Sequence, residues 1–211
     1  MSRVPADQRR EQLIEATIDL AIREGLAAAS VRRIADEANV SLGVVHYCFS
    51  SKEALLNAVA ESFIKPIIAA VSQALEGHTG TFEEKAYDAF RSFWEHTQSQ
   101  PGRQLLSYEL AAWSIRGDGE SARLLYKTYQ DSIEHMITHS MGIKGSEGLP
   151  TRTLARMVLA VCDGVMLSWL VDHDDEATFD VLQGFIAVLL AVIDQARGAG
   201  FVTVAEAPSA V

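Results

Sequence analysis

Between Ser41 and Phe49 the chain reads SLGVVHYCF, a stretch without a single acidic residue. On a short helix Val45, Cys48 and Phe49 face a core, leaving Ser41, Leu42, Gly43, Val44, His46 and Tyr47 on the other side. Hydroxyl, imidazole, phenol and small aliphatic groups suit contacts to base edges and phosphate oxygens, which a carboxylate would repel. Gly43 costs about 1 kcal/mol relative to alanine inside a helix, so its presence suggests close approach of a partner to the backbone. Lys52 stands at the start of the next helix, a poor place for a cation but a good one for a phosphate, where free N–H groups, helix dipole and ammonium converge. The chemistry on offer is non-covalent recognition of a polyanion with readable edges, as in duplex DNA. The alternative for His46 and Tyr47 is that both merely pack.

Positioning that helix requires a scaffold, and the residues before it supply one. Val31, Ile34, Ala35 and Ala38 recur at helical spacing behind the N-cap candidate Ser30, with Arg32, Arg33, Asp36 and Glu37 outward. Asn39 tolerates the positive φ of a sharp turn, Val40 plugs it, and Ser41 is placed to cap the second helix. Ser50 and Glu53 are spaced as a capping box for a third helix. The pattern is a helix-turn-helix. A further helix from about Asp7 through Leu13, Ile14, Ala16, Thr17, Leu20 and Ala21 ends at Gly25.

From Leu13 to Leu56 the chain resembles the DNA-binding domain of the TetR family of one-component bacterial transcriptional regulators. The likeness rests on Gly25, Ser30-Val31-Arg32, Ile34-Ala35, Ala38-Asn39-Val40-Ser41, Gly43, His46-Tyr47, Phe49 and Ser51-Lys52-Glu53-Ala54-Leu55. Asn39 departs from the family's usual glycine, and Cys48 stands where a tyrosine is frequent. The resemblance implies an all-helical homodimer with a ligand pocket in a larger C-terminal domain. It also implies that an arginine of the first helix, Arg9 or Arg10, reaches a phosphate. The residues assigned to DNA are Ser30, Arg32, Ser41, Leu42, Gly43, Val44, His46, Tyr47 and Lys52.

The formal charge of −10 over 211 residues looks wrong for a nucleic-acid binder until it is divided. Residues 1–56 carry seven Lys/Arg against eight Asp/Glu, and residues 57–211 carry eleven against twenty, so the acidity lies mostly in the second part. Arg3, Arg9, Arg10, Arg32, Arg33 and Lys52 are candidates to gather on one face. Cys48 and Cys162 read as isolated buried thiols in a reducing compartment. No signal peptide is visible, and no apolar run approaches the roughly 18 residues needed to span a bilayer, so the expected location is the cytoplasm, with no membrane partner.

The expected fold is all-α, divided into a helix-turn-helix DNA-binding domain at 1–56, an antiparallel helical ligand-binding and dimerisation domain at 57–198, and a flexible tail at 199–211. A long helix from Ser51 to about Glu76 contains Pro66, which removes the hydrogen bond to the Ser62 carbonyl and can kink the axis as a hinge or simply bend it around the core. Further helices are expected near 82–99, 103–115, 119–141, 151–172 and 175–197, with no strands. The last two are too apolar for one stripe, which suggests burial on two sides against a two-fold mate. Trp169, Phe179, Leu182, Phe185, Ile186 and Leu189 are the candidates for that interface. Asp163-Gly164 also resembles the C-terminal domain of BetI-like members.

Phe90, Trp94, Tyr108, Glu109, Trp113, Tyr126, Asp163 and Met166 are the ligand candidates, aromatic and thioether groups with a few polar handles for a neutral or cationic effector. Equally, they can be plain core. Rival chemistry is thin. His135 and His139 stand at i and i+4 without a third metal ligand, Gly117-Asp118-Gly119 follows no strand, and His173-Asp174-Asp175 suits an interhelical loop. The reading is therefore a non-enzymatic, ligand-responsive repressor without metal or cofactor. A helical small-molecule-binding protein that no longer uses its DNA domain, or an enzyme, are the alternatives.

Overall fold

The computed structural model describes residues 5–145, 149–198 and 203–204, and among these nine α-helices form the chain. Helix α1 (Ala6–Glu24) buries Leu13, Ala16, Thr17, Ile18, Leu20 and Ala21 and stops at Gly25, whose N–H returns to the Ala21 carbonyl. After a 3-10 turn (Leu26–Ala28) come α2 (Val31–Glu37) and α3 (Leu42–Cys48). Ser30 caps α2, its hydroxyl accepting from the Arg33 N–H at 3.3 Å, and Asn39 makes the turn with φ +51°. Ile34 and Ala35 face inward as their spacing requires.

Helix α4 (Lys52–Leu75) carries Pro66 in its interior. Its cap is Ser51, which accepts from the Ala54 N–H at 3.1 Å, and not the expected Ser50. Ser51 immediately precedes the first helical residue, so its hydroxyl lies over the N–H three positions on. A reciprocal capping box occurs instead at α5 (Phe82–Gln98): Thr81 Oγ1 accepts from the Glu84 N–H at 3.3 Å, and Glu84 Oε2 accepts from the Thr81 N–H at 2.7 Å. Helix α6 (Pro101–Arg116) starts on its proline, and α7 (Glu120–His135) runs on into a π turn (Met136–Ser140). The chain closes with α8 (Thr151–Asp172) and α9 (Asp175–Gly198).

Two expectations fail here. Ile143–Lys144 (β1) pairs antiparallel with Thr203–Val204 (β2), a two-residue ladder too short to leave a period-two signal, and it ties down part of the stretch read as a flexible tail. The remainder of that tail, like Arg3, lies outside the described residues. In addition, Lys52–Leu75, Thr151–Asp172 and Asp175–Ala196 are each long and apolar enough to cross a membrane by length and composition. An uninterrupted run is not needed for that, since isolated Ser, Asn or Gly residues dilute the pattern without lowering its mean hydropathy far.

Packing divides the chain into two units, one of residues up to Pro66 with 100–125, the other of 67–99 with residues from 126 on. The division cuts α4 at Pro66 rather than falling at 56/57, and it assigns α6 to the helix-turn-helix unit. Within that first unit α6 is fastened to α1. Arg103 pairs with Glu15, and the Leu26 N–H donates to Glu109 at 3.2 Å. A Cβ on Gly102 would stand 2.8 Å from Cγ2 of Ile22, so only glycine lets the helices approach so closely. In the second unit α9 packs on α5 and α8, around a core of Ile137, Ile143, Leu154, Ala155, Leu189 and Ile193.

Candidate nucleic-acid interface

Seven residues make α3 a helix of only two turns, so its orientation depends on what holds its ends and its inner face. Val45, Cys48 and Phe49 are buried, as expected, while Ser41, Leu42, Gly43, His46 and Tyr47 are exposed and Val44 is half-buried. Tyr47 keeps 72% of its surface in solvent, too much for a packing residue. Ser41 occupies the N-cap position, yet its hydroxyl makes no capping bond, so it remains available to an external acceptor or donor. A Cβ added to Gly43 would meet only Ser41 Oγ, at 3.8 Å. Nothing within the chain demands glycine there.

The basic residues around this helix sort into engaged and available groups. Arg23 grips Glu37 through two guanidinium nitrogens at 3.1 and 2.7 Å, and Arg33 Nη2 binds Glu24 at 2.6 Å. These pairs hold the Glu24 and Glu37 carboxyls below the usual range, chiefly through the hydrogen bonds from Arg33 and Arg23 respectively. Arg33 is thus neutralised in place rather than offered to phosphate. Arg9 donates to Gln12 Oε1 at 2.6 Å. Arg10, expected to reach a phosphate, instead donates to the Cys48 carbonyl and lies over the Phe49 ring, 4.2 Å from its centroid. Arg32 is exposed and enters no ion pair among the described residues. Lys52 is half-buried at the first turn of α4. The contacts from Arg10 and Gln12 to the ends of α3 and α2 were not foreseen, because residues 38 and 26 positions apart give no periodic signal.

The ligand candidates do not form one group. Tyr108, Glu109 and Trp113 belong to the first unit. There Glu109 serves the Leu26 N–H, and Trp113 lines a narrow cleft with Leu56, Asn57, Ala60, Leu110 and Leu125. That cleft has room for little more than one water molecule. Sequence alone placed all eight in the second domain because α6 follows α5 along the chain, whereas α6 packs with α1. Phe90, Trp94, Tyr126, Asp163 and Met166 do belong to the second unit. Phe90 meets Phe185 edge-on at 5.7 Å, Trp94 meets Trp169 at 5.4 Å, and Thr97 Oγ1 approaches Met166 Sδ at 3.3 Å. Tyr126 donates to Asp163 Oδ2 at 2.9 Å, and burial raises the Asp163 carboxyl above its ordinary pKa against the opposing effect of that bond. Burial likewise raises the free Cys162 thiol and lowers His96.

The interface candidates are corrected in the same way. Trp169, Leu182, Ile186 and Leu189 are buried within their own chain, and Phe179 and Phe185 are half-buried. The apolar residues left in solvent are Leu167 and Val171 on α8 and Val181 and Val188 on α9, with Gly184 and Ala187 exposed beside them. An all-round apolar helix has two such sides, and its sequence does not mark which one turns inward.

The remaining motifs serve local structure. His173 ends α8 in the left-handed region with φ 54°, Asp174 accepts from the Ala177 N–H at 3.0 Å, and Asp175 accepts from Trp169 Nε1 at 2.7 Å. Gly117-Asp118-Gly119 is the α6–α7 turn, in which Asp118 Oδ1 accepts from the Glu120 N–H at 2.9 Å. His135 and His139 stack at 4.0 Å, with His139 Nδ1 on the His135 carbonyl.

Residues 13–59 match the family model of the bacterial regulatory proteins, tetR family. Over 190 residues, 89% of this chain and 97% of the relative, the chain is 27% identical to the HTH-type nicotine-responsive transcriptional repressor HdnoR of Paenarthrobacter nicotinovorans. Over 118 residues, 47% of this chain and 57% of the relative, it is 33% identical to the HTH-type transcriptional regulator BetI 2 of Chromohalobacter salexigens. A transcriptional regulator from Rhodococcus sp. Rha1 shares the fold with a TM-score of 0.70 at 23% identity, covering 87% of this chain and 96% of that one. With a helix-turn-helix whose second helix is exposed and free of acids, residues 13–59 are a DNA-binding domain of the tetR-family type, and the chain as a whole shares the fold of the regulators it resembles.

Proposed function

We propose that this regulator is a homodimeric cytoplasmic repressor that leaves a pseudo-palindromic operator when a small molecule binds its second unit. The observation that carries the DNA half of this reading is Gly43: a helical glycine that no neighbour within the chain requires, on an exposed face without acids, fits the close approach of a duplex. Ser41, Leu42, Gly43, Val44, His46 and Tyr47 then lie against base edges and phosphates, while Ser30, Arg32 and Lys52 bind the backbone around them. The exposed apolar stripe of Leu167, Val171, Val181 and Val188 supports the dimer, because a second copy would remove it from water. Two copies of α3 about 34 Å apart enter successive major grooves.

A ligand shifts this arrangement only if it binds one spacing of the two helices better than the other. Tyr126 and Asp163, with Phe90, Trp94 and Met166, are the groups we assign to it in the second unit. An effector with an aromatic ring and a basic nitrogen suits them, and the nicotine-responsive relative supports that class. The test is to select duplexes from a randomised pool with the purified protein and then titrate the winning duplex with nicotine or with benzoate as an anionic control. Selection of a two-fold symmetric sequence, released by nicotine and not by benzoate, is expected. A rival reading, a ligand-binding protein whose DNA unit is idle, draws on the neutralised Arg23 and Arg33 and would leave the pool unenriched.

A further inference from the structure

A two-turn helix cannot orient itself, and in this chain both helices of the helix-turn-helix have an end held by α1. The last carbonyls of a helix lack partners within it and carry the negative end of the dipole, so a cation that binds one is doubly matched. Arg10 donates to the carbonyl of Cys48, the final residue of α3, and its guanidinium carbon stands over the buried Phe49 ring, 4.2 Å from the centroid. Two residues on, Gln12 Nε2 donates at 2.8 Å to the carbonyl of Ala38, the C-cap of α2. Side chains two positions apart on a helix point to different sides. Here one reaches each helix of the motif.

We infer that Arg10 and Gln12 are positioning residues that fix the angle at which α3 meets DNA, so that Arg10 governs sequence discrimination and not phosphate attraction. This rests on the DNA-binding reading above and adds to it the device that sets the recognition helix. Lysine cannot replace arginine in that role, since an ammonium offers neither the planar face for Phe49 nor the fixed fork of donors.

The experiment compares wild type, Arg10→Ala, Arg10→Lys and Gln12→Ala on two probes: a duplex selected by the wild-type protein from a randomised pool, and a scrambled duplex of equal length, each across a salt series. Thermal melts of each variant give the folded fraction, by which both affinities are scaled. The expected result is that Arg10→Ala and Arg10→Lys both lower the ratio of selected to scrambled affinity by about tenfold, the worth of one charge-assisted hydrogen bond. Gln12→Ala lowers it less, and the salt slope stays that of wild type in all three. A loss of folding stability alone would weaken both probes together and leave the ratio unchanged, which would overturn the inference. So would a slope reduced by about one in Arg10→Ala and restored in Arg10→Lys, the signature of a phosphate contact. If the wild-type protein enriches no duplex at all, the failure belongs to the DNA-binding reading itself.

Discussion

The α2–α3 segment and the α8–α9 pair distribute their apolar residues in opposite ways. In α2–α3 the apolar positions are few: Ile34, Ala35, Val45 and Cys48 go inward, Val31 and Val44 are half-buried, and what remains outside is polar, aromatic or glycine apart from Leu42. In α8–α9 apolar residues occupy nearly the whole circumference. Leu182 and Ile186 are 2% and 1% exposed, whereas Val188 and Val171 are 58% and 80% exposed on the same two helices. A sparse pattern names its own inner face. A saturated one leaves that choice to packing, and its spare side stays in solvent.

The largest effects should come from the saturated pair. Ile186→Ala removes a fully buried side chain and should cost about 2–5 kcal/mol of stability, read from thermal or denaturant melts. Val181→Asp with Val188→Asp alters only solvent-facing positions and should leave the melt of the isolated chain almost unchanged while abolishing self-association in sedimentation. If the two sets of changes behave alike, the distinction between inner and outer faces is wrong.

Gly43→Ala sharpens the contrast in the sparse segment, where stability and function should move in opposite directions. Alanine has space there and better helix propensity, so the melt should rise by about 0.5–1 kcal/mol, while affinity for a selected duplex falls because the methyl group stands where the duplex approaches. Lys52→Ala should weaken selected and unselected duplexes equally and reduce the slope of log affinity against log salt by about one.

The smallest effect concerns Asp163. Burial raises its pKa in the folded state above the unfolded value of about 3.9, so the stability present below that value is lost as pH rises through the raised one. Asp163→Asn should therefore melt higher than wild type at pH 7, and the advantage should shrink as pH falls through the raised pKa and be gone below about pH 4. An advantage that stays constant with pH would assign the gain to packing.

How much was legible in the sequence follows the same division. Caps and turns are local, so Ser30, Asn39 and the exposed set from Ser41 to Tyr47 could be read directly from residue type and spacing. The cap at Ser51 missed by a single residue. Contacts between distant segments carry no such signature. Arg10 reaching Cys48, Glu109 serving Leu26, and the pairing of Ile143–Lys144 with Thr203–Val204 arise from tertiary packing. The ligand candidates were misassigned for that reason: Tyr108, Glu109 and Trp113 follow α5 in sequence and pack in the first unit. Likewise Pro66 announced a bend in α4, but only packing showed that α4 is divided between the two units at that residue.

The central claim is that two copies of α3 act together on one duplex, and the mass of the protein–DNA complex tests it most directly. Sedimentation or native mass measurement with the duplex selected from a random pool should give two chains per duplex, with half-sites about 10 base pairs apart, centre to centre. A complex holding one chain on an asymmetric site would contradict the account.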